Sequence, residues 1–490
     1  MRRLPLFLFV RGLIPAPVLL PFFMAVALVA PATGQQADEL SPGVRAFVSV
    51  DEPLFAVTNV NVVDGTGAPA MDNQTILVSE GRIEAMGPAD RMSLPPEARV
   101  IDGEGHTVIP GIVGMHDHIF YPAGSGHYNT LEFSAPRLYL AAGVTTIRTT
   151  GSLEPYAEMG LRDAILEGRV PGPRMHVTGP YLEGPGAFTF QMHELESPEE
   201  ARRMVAYWAD AGVDDFKAYT NITRAQLGAA IEEIHARGLK ITGHLCSIGF
   251  REAAALGIDN LEHGLLVDTE FSPDKKPDLC PSGRTNREAL LSMDVEGEEI
   301  QETIRILVEA GVAVTSTLPV YEISVPGRPP VNQMVLEAMA PTARESYLTR
   351  RARIGAGSGS TAADALALEM AFERAFVEAG GLLLAGPDPT GYGGVLPGFG
   401  NHRQIELLVE AGFTPLEAIE IATHNGALYL EELDRIGTLA VGKRADMVLI
   451  EGDPSTDISH IRRVVTVFKD GVGYDSARLF GAVKGTVGVR

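Results

Sequence analysis

The middle of the sequence alternates short apolar runs with stretches of helical pattern, and this alternation repeats eight times. Strand–helix alternation at this rhythm favours parallel strands joined by crossover helices. Eight repeats favour a closed barrel over an open sheet. The runs, rich in Val, Ile and Leu, cover residues 108–115, 144–149, 174–179, 214–218, 240–243, 260–262, 312–317 and 382–385.

Strand-like patterns of a different kind bracket this region. Residues 54–63 alternate apolar and polar side chains, and a similar pattern returns at 445–450 and 464–469. The simplest packing joins the two chain ends. We therefore predict an α/β protein: a (β/α)₈ TIM barrel with a small β-sandwich domain built from both chain ends. The predicted segments are a signal peptide at 1–34, the first part of the small domain at 35–110, the barrel at 111–436 and the second part of the small domain with the tail at 437–490.

The first 34 residues have the pattern of a secretory signal. Two arginines near the start precede an apolar stretch at 13–30, and small residues at 32 and 34 suit cleavage before Gln35. We expect an exported protein, periplasmic or extracellular, with no stable membrane association after cleavage. A membrane anchor is the alternative because the apolar stretch is about long enough to span a bilayer.

The charge balance and the cysteines restrict the partners only in part. The formal net charge of −23 would repel nucleic acid and anionic membranes, so we expect no nucleic acid partner. The charge says little about the small-molecule substrate that we expect. The cysteines are Cys246 and Cys280. In an oxidising compartment they could pair, and two buried free thiols are an equal alternative.

His116 and His118 directly follow the first predicted barrel strand. Residues two apart in an extended chain point the same way, so both imidazoles can face one metal. A lone His-x-His pair is weak evidence, but the end of an apolar strand is where a barrel places its active site.

Four further polar residues lie within or directly after later strands. Lys217 lies between Phe216 and Ala218, where an unpaired amine is costly to bury. His244, His263 and Asp388 follow the apolar runs that precede them. Each residue alone is better read as a core or loop residue, but together they predict one site at one end of the barrel.

These residues resemble the amidohydrolase superfamily, in the subtype with a carboxylated lysine and two metals. The resemblance spans about residues 54–474. Within this superfamily the sequence looks most similar to the imidazolonepropionase-like and prolidase-like group, which includes dipeptidases and ochratoxin-type amidases. Its specific parts are Pro110-Gly111-Ile112 before His116-x-His118, Phe216-Lys217, Gly243-His244, Glu262-His263-Gly264, and the tail Gly437-Thr438-Leu439-x-x-Gly442-Lys443-x-Ala445-Asp446.

The resemblance implies a ligand set for two divalent ions. His116, His118 and Asp388 would bind the more buried metal, His244 and His263 would bind the more exposed one, and Lys217 would bridge them. A lysine ammonium cannot ligate a cation, but its carbon dioxide-derived carbamate can. Imidazole and carboxylate ligands suit zinc best, with manganese, iron or cobalt as alternatives. Two such metals share a hydroxide and polarise a carbonyl, and Asp388 would move the proton as the catalytic residue.

Substrate contacts are less specific in the sequence. Tyr181 and Tyr219 could hydrogen-bond the substrate carbonyl, with core or rim tyrosines as the alternative reading. The connections at 268–297 and 324–361 follow strand ends, so we expect them to be lids or specificity elements, with disordered insertions as the alternative. Asp388 departs from the family pattern, since Pro389-Thr390-Gly391 follows it and leaves the local turn open.

The pattern predicts a metal-dependent hydrolase that cleaves an amide bond in a small peptide-like or N-acyl amino acid substrate. Hydrolysis of a lactone, an ester or a cyclic amide with the same metals is the alternative reaction. Binding without catalysis is a different class that remains open, although no ligand position is lost. Relatives are often multimers, which leaves a homo-oligomer open by analogy alone.

Overall fold

A computed structural model describes residues 40–124, 127–357 and 360–489. The predicted leader at 1–34 lies outside this part of the chain. The helices are α1 Pro42–Arg45, α2 Ser134–Ala141, α3 Pro155–Leu166, α4 Pro198–Ala211, α5 Arg224–Ala236, α6 Phe250–Leu256, α7 Gly283–Leu291, α8 Glu298–Ala310, α9 Leu318–Glu322, α10 Gln333–Ala338, α11 Pro341–Gly355, α12 Ala362–Glu378, α13 Phe399–Glu410, α14 Pro415–Glu420, α15 Gly426–Tyr429 and α16 Ser476–Val483. No helix in the described ranges is long and apolar enough to cross a membrane.

Strands from both chain ends form one mixed sheet. Among the described residues this sheet has nine strands in the order β1-β19-β18-β17-β6-β2-β3-β4, with β5 paired to β2. As predicted, strands from both ends of the sequence pair with each other. Their hydrogen bonds form a single sheet, so the predicted β-sandwich is not confirmed. The strands are β1 Val48–Val50, β2 Leu54–Val62, β3 Met71–Ser79, β4 Arg82–Pro88, β5 Arg99–Asp102, β6 His106–Pro110, β17 Met447–Glu451, β18 Val464–Lys469 and β19 Val472–Asp475.

Each of the eight predicted middle runs contains a parallel strand, so the fold is mixed α/β. The described strands form two parallel sheets, β11-β10-β7 and β12-β13-β14-β15-β16. A separate antiparallel pair joins β8 Phe120–Gly124 to β9 His127–Thr130. The parallel strands are β7 Ile112–Gly114, β10 Val144–Arg148, β11 Arg174–His176, β12 Phe216–Ala218, β13 Ile241–Gly243, β14 Asn260–Glu262, β15 Ala313–Ser316 and β16 Leu383–Ala385.

Backbone hydrogen bonds link these two sheets on both sides. At one seam the amide of Met115, just after β7, donates to the carbonyl of Ala385 in β16 at 2.9 Å. At the other, the amide of Asp214 donates to the carbonyl of Val177 at 2.8 Å. Both edges of each parallel sheet are therefore held to the other sheet at these points.

The first predicted run is divided between two sheets. Residues 108–110 belong to β6 in the nine-stranded sheet, and residues 112–114 form β7 in the parallel sheet. Gly111 lies between them, where an added Cβ would lie 2.1 Å from the hydroxyl oxygen of Thr145. Only glycine lets the chain pass this closely to β10. The chain therefore moves from one sheet to the other at Gly111, although the apolar pattern continues without a break.

Two helix starts follow the sequence signals for capping. Thr223 and Gln226 form a capping box at α5, and Thr414 and Glu417 form another at α14. Each box satisfies backbone amides that the first turn leaves without partners, so these helices begin where the sequence predicts.

Arg174 connects β11 to the nine-stranded sheet. Its guanidinium lies 3.0 Å from Asp446 Oδ2 and 3.0 Å from Asp470 Oδ1, and both carboxylates are buried. Removing a cation from such a cluster leaves buried carboxylates without full compensation, which is strongly destabilising.

We predict that Arg174→Ala lowers the free energy of unfolding by about 3 kcal/mol. Arg169→Ala is the control, because Arg169 pairs with Glu167 where both side chains are more than half exposed; such pairs contribute at most about 1 kcal/mol. Urea unfolding followed by circular dichroism measures both variants. Equal midpoints for the two would contradict a coupling role for Arg174.

Candidate active site at the strand ends

All eight predicted site residues line one cavity of about 280 Å³. His116, His118, His263 and Asp388 are buried, Lys217 is 1% exposed, and His244 is half-buried at the rim. Lys217 is the middle residue of β12, and the other residues follow parallel strands. Those that follow β7, β12, β13 and β14 closely are His116 and His118, Tyr219, His244 and His263, whereas Tyr181 and Asp388 lie in the loops after β11 and β16. The structure therefore brings together every ligand candidate as well as Tyr181 and Tyr219.

The hydrogen bonds of His116 and His118 fix which ring nitrogen faces the cavity. His116 Nδ1 lies 2.7 Å from Glu262 Oε2, and His118 Nδ1 lies 2.9 Å from the carbonyl of Thr149. Each Nδ1 therefore carries a proton and donates it. The lone pair on each Nε2 is left for the cavity, which is the usual arrangement of metal-binding histidines.

Asp388 lies against these lone pairs. Its Oδ1 is 3.2 Å from His118 Nε2 and 3.7 Å from His116 Nε2. Because both imidazole nitrogens and the carboxylate are acceptors in this tautomer, a cation between them satisfies all three. One ligand atom each from His116, His263 and Asp388 lies within 4.8 Å of the other two. This donor set fits a divalent metal.

The tightest cluster does not follow the division predicted for the two ions. It joins His116 and Asp388, which the sequence assigns to the more buried metal, with His263, which it assigns to the other. The allocation of ligands between two ions therefore stays a prediction.

Burial keeps the histidines neutral. It lowers the pKa of His118 to about 4. At His244, burial and the neighbouring Lys217 lower the pKa to about 3. At Asp388 the hydroxyl of Thr390 donates to Oδ1, and a cation held between this carboxylate and the imidazoles would favour its charged form. The site thus offers neutral imidazoles and an anionic carboxylate at neutral pH.

Lys217 is buried with no carboxylate in direct contact among its described neighbours. Its Nζ lies 3.3 Å from His116 Nε2, and the rings of Tyr181 and Tyr219 both lie 5.7 Å away. Burial lowers the pKa of this amine to about 8, so a substantial neutral fraction exists near neutral pH. A neutral amine is the form that reacts with carbon dioxide.

Tyr181 and Tyr219 lie beside Lys217 with their ring centroids 4.8 Å apart. Burial raises the pKa of both phenols above the ordinary value, so their hydroxyls stay protonated. They are therefore hydrogen-bond donors facing a cavity of acceptors.

Two of the site residues have unusual backbone conformations. His263 has φ 71° and Asp388 has φ 49°, in the left-handed region that non-glycine residues seldom occupy. A Cβ added to Gly386 would lie 2.2 Å from the backbone nitrogen of His116, so this glycine allows the two segments to approach. Strain of this kind concentrates at functional sites.

Thr390, in the turn that departs from the family pattern, supports Asp388 directly. Its hydroxyl donates to Asp388 Oδ1 at 2.7 Å. The departure therefore adds a hydrogen bond that holds the carboxylate.

Sequence reasoning missed Glu262 and Arg148. Glu262 is fully buried, hydrogen-bonds His116 through one oxygen, and lies 2.7 Å from the guanidinium of Arg148 through the other. Burial opposes the charge of Glu262, but His116 and Arg148 hold its pKa well below the usual range. The available signal was the position of Glu262 at the end of β14, next to His263.

The two connections expected to be lids or specificity elements do not line this cavity among the described residues, so their role stays a prediction. Residues 268–297 and 324–361 contain α7, α10 and α11, and neither segment supplies a described residue to the cavity wall. The wall comes instead from the β8–β9 hairpin, with Phe120 and Tyr128, and from the loop that carries Phe188.

Cys246 and Cys280 form a disulfide. This resolves the alternative that the sequence left open. The bond ties residue 280, in the connection after β14, to the segment just after His244.

A model of the Amidohydrolase family matches residues 107–473, most of the chain and every site residue. The chain belongs to the amidohydrolase family. Membership in this family identifies it as a hydrolase.

Relatives of several activities resemble this amidohydrolase. The sequence is 22% identical over 428 residues to an imidazolonepropionase of Herpetosiphon aurantiacus, covering 80% of this chain and 90% of that protein. It is 33% identical over 85 residues to an enamidase of Eubacterium barkeri, but this covers only 17% of this chain and 22% of the enamidase. The chain spans less than a third of the enamidase and of two other curated relatives that it matches.

Solved structures show the same fold. A bottromycin amidohydrolase has a TM-score of 0.66 at 20% identity, covering 90% of this chain and 94% of that one. A Xaa-Pro dipeptidase with bound methionine has a TM-score of 0.64 at 20% identity, covering 86% and 100%.

We predict that Glu262→Gln lowers metal affinity about 10- to 100-fold, because His116 loses the carboxylate that fixes its tautomer. Zinc titration in competition with a chromogenic chelator measures the affinity. Glu233→Gln is the control, since Glu233 pairs with Arg237 on the surface of α5. Unchanged affinity in Glu262→Gln would show that Glu262 has no part in holding His116.

Proposed function

We propose that this amidohydrolase cleaves an amide bond in a small peptide-like or N-acyl amino acid molecule, with two divalent ions, most plausibly zinc. The observation that carries the proposal is the convergence of His116, His118 and Asp388, whose acceptor atoms face one another across 3.2–3.7 Å. The amide-cleaving relatives support the bond type. We also infer that the two parallel sheets close into a (β/α)₈ barrel, supported by the hydrogen bonds at both seams.

In this proposal, bound ions would polarise the substrate carbonyl and acidify the attacking water. They would be held by His116, His118, His244, His263, Asp388 and carboxylated Lys217. Side chains of the protein would carry out the proton transfer and the positioning of the substrate.

Asp388 would move the proton. Its charged carboxylate accepts a proton from the attacking water and passes it to the leaving nitrogen, which departs as a neutral amine. Thr390 holds Oδ1 through its hydroxyl, which keeps the carboxylate in one orientation.

Tyr219 and Tyr181 would position the substrate. Their protonated hydroxyls can donate to the carbonyl oxygen, and such donors stabilise the charge that develops there.

We predict that Lys217→Ala lowers kcat at least about 1000-fold, and that short carboxylates such as acetate restore part of the activity by entering the vacated space. Lys240→Ala is the control, because Lys240 bonds Glu431 at the surface. The assay measures amine release from dipeptides and N-acyl amino acids, with a chelator as the blank. Full activity in Lys217→Ala would overturn the mechanism. If no amine is released but acid is released from esters or lactones, the hydrolysed bond would be an ester or a lactone instead of an amide.

We also propose export to the periplasm or the cell exterior. Support comes from the Cys246–Cys280 disulfide, because such bonds persist in oxidising compartments.

We predict that protein recovered from the periplasm titrates with no free thiol until reductant is added. The Cys246→Ser/Cys280→Ser variant should lose about 3 kcal/mol of stability, because the bond closes a 34-residue loop. Thiol titration under denaturing conditions measures the number of free thiols, and urea unfolding measures the stability of the double variant. Two free thiols in the unreduced protein would contradict the proposal.

A further inference from the structure

A second cavity, of about 370 Å³, lies beside α9 and apart from the candidate active site. Val320 and Tyr321 of α9 line the active-site cavity, and Glu322 and Ile323 line the second one. No described residue lines both cavities. We call the second one the α13 cavity because α13 forms part of its wall; its apolar lining includes Leu138, Ala142, Tyr347, Leu396, Phe399 and Phe480.

The mouth of the α13 cavity carries exposed apolar side chains. Val331 is 61% exposed and Met334 is 46% exposed, and both line the cavity. They belong to the connection at 324–361, which supplies no described residue to the active-site cavity. A ligand in the α13 cavity would bury apolar surface that the fold itself leaves in water.

The segment that carries these side chains is held in place. The carbonyl of Pro329 accepts a hydrogen bond from Arg351 Nη2 at 2.7 Å. Arg328 Nε lies 2.8 Å from Oε1 of the buried Glu322. The cavity is therefore formed before any ligand enters, and its volume falls in the range of about 300–1,000 Å³ that is typical of small-molecule sites.

His402 gives this cavity a hydrogen-bond acceptor. The residue lines the cavity and is 5% exposed, and its Nε2 lies 2.7 Å from the carbonyl oxygen of Ala142. Nε2 therefore carries the ring proton, because a carbonyl can only accept. Burial lowers the pKa of His402 to about 4, so the ring is neutral and Nδ1 keeps its lone pair. No described residue hydrogen-bonds this Nδ1.

A second acceptor without a partner lies one turn further along α13. Glu406 is buried, and its Oε1 has no hydrogen-bond partner among the described residues. Residues four apart share one face of a helix, so His402 and Glu406 lie on the same side of α13. A buried acceptor without a partner costs free energy, and a ligand that donates a hydrogen bond would recover part of it.

The charged side chains at the α13 cavity already pair with one another. Arg403 lies 2.7 Å from Glu322 Oε1 and 2.7 Å from Glu406 Oε2, and Arg462 also contacts Glu406. A charged ligand would have to compete with these pairs, and an unpaired buried charge is costly. The cavity therefore fits an uncharged molecule.

We propose that the α13 cavity is an accessory binding site for a small, uncharged, mostly apolar molecule that donates a hydroxyl or an N–H to His402. The proposal goes beyond the proposed hydrolysis and does not depend on it. Binding at this site is measured without turnover, so it stands or fails separately from the reaction.

Three matched probes test the chemistry of the site by isothermal titration calorimetry on the full chain. 4-Butylphenol is uncharged and donates a hydrogen bond, 4-butylanisole lacks the donor, and 4-butylbenzoate adds a negative charge. We expect the phenol to bind about fivefold more tightly than the more apolar anisole, and about tenfold more tightly than the benzoate. Titration in about 0.5 M salt screens repulsion of the benzoate by the acidic surface.

Val335→Trp tests whether the phenol binds in this cavity. Val335 of α10 lines the cavity, and a tryptophan there would occupy the space of the ligand. We expect the affinity for 4-butylphenol to fall at least about tenfold. Val441→Trp is the matched control, because Val441 is 63% exposed and does not line the cavity. It should change the affinity by less than about twofold.

Methionine methyl NMR locates the ligand without altering the cavity, in case Val335→Trp does not fold. The Met334 signal is identified by its absence in Met334→Leu, and that of Met204, which lines a different cavity, by Met204→Leu. 4-Butylphenol should shift the Met334 signal and leave the Met204 signal in place. No binding, equal affinity for the three probes, equal effects of folded Val335→Trp and Val441→Trp, or saturation with an unmoved Met334 signal would each overturn the proposal.

Discussion

Glu262 is a fully buried carboxylate that connects the strands around the site. It hydrogen-bonds His116 after β7, Arg148 on β10 and Thr242 on β13. A buried charge is tolerated only when partners replace its lost water, and here each partner comes from a different strand. Arg148 in turn donates to the carbonyl of Met115 at 2.9 Å and to Asn260 at 3.0 Å. The orientation of His116 is thus set beneath the cavity rather than inside it.

Burial then sets the chemistry above this network. Desolvation disfavours the charged form of each imidazole, so the histidines present lone pairs, and it also lowers the pKa of Lys217. The hydroxyl of Thr390 donates a hydrogen bond to the carboxylate of Asp388. An assembly of acceptors around one anion is unstable unless a cation joins it. The left-handed backbone at His263 and Asp388 indicates that the fold maintains this arrangement against local preference.

Much of the α/β fold and the convergence of the candidate ligands could be predicted from the sequence, because both depend on where the strands end. An apolar run followed by a polar residue marks such an end, and parallel strands bring their ends together. The division at Gly111 could not be predicted, since the apolar pattern is the same in both sheets. The aromatic lining of the cavity was missed because Phe188 lies in a loop that is held by hydrogen bonds to the side chains of Gln191 and Glu194. Sequence spacing carries no record of such contacts, and the Cys246–Cys280 pair was open for the same reason.

The nine-stranded sheet pairs strands that are far apart in the sequence and are therefore synthesised at different times. β1 pairs with β19, and β6 pairs with β17, so each early strand has a partner that is made several hundred residues later. Such contacts close long loops, which makes their formation slow. During synthesis the edge of β6 stays without its β17 partner until the residues between the two strands have been made. A chain that stops short of β17 therefore exposes the unpaired edge of β6 next to the parallel strands that carry the candidate site. Such an edge can pair with a strand of another chain and so promote aggregation.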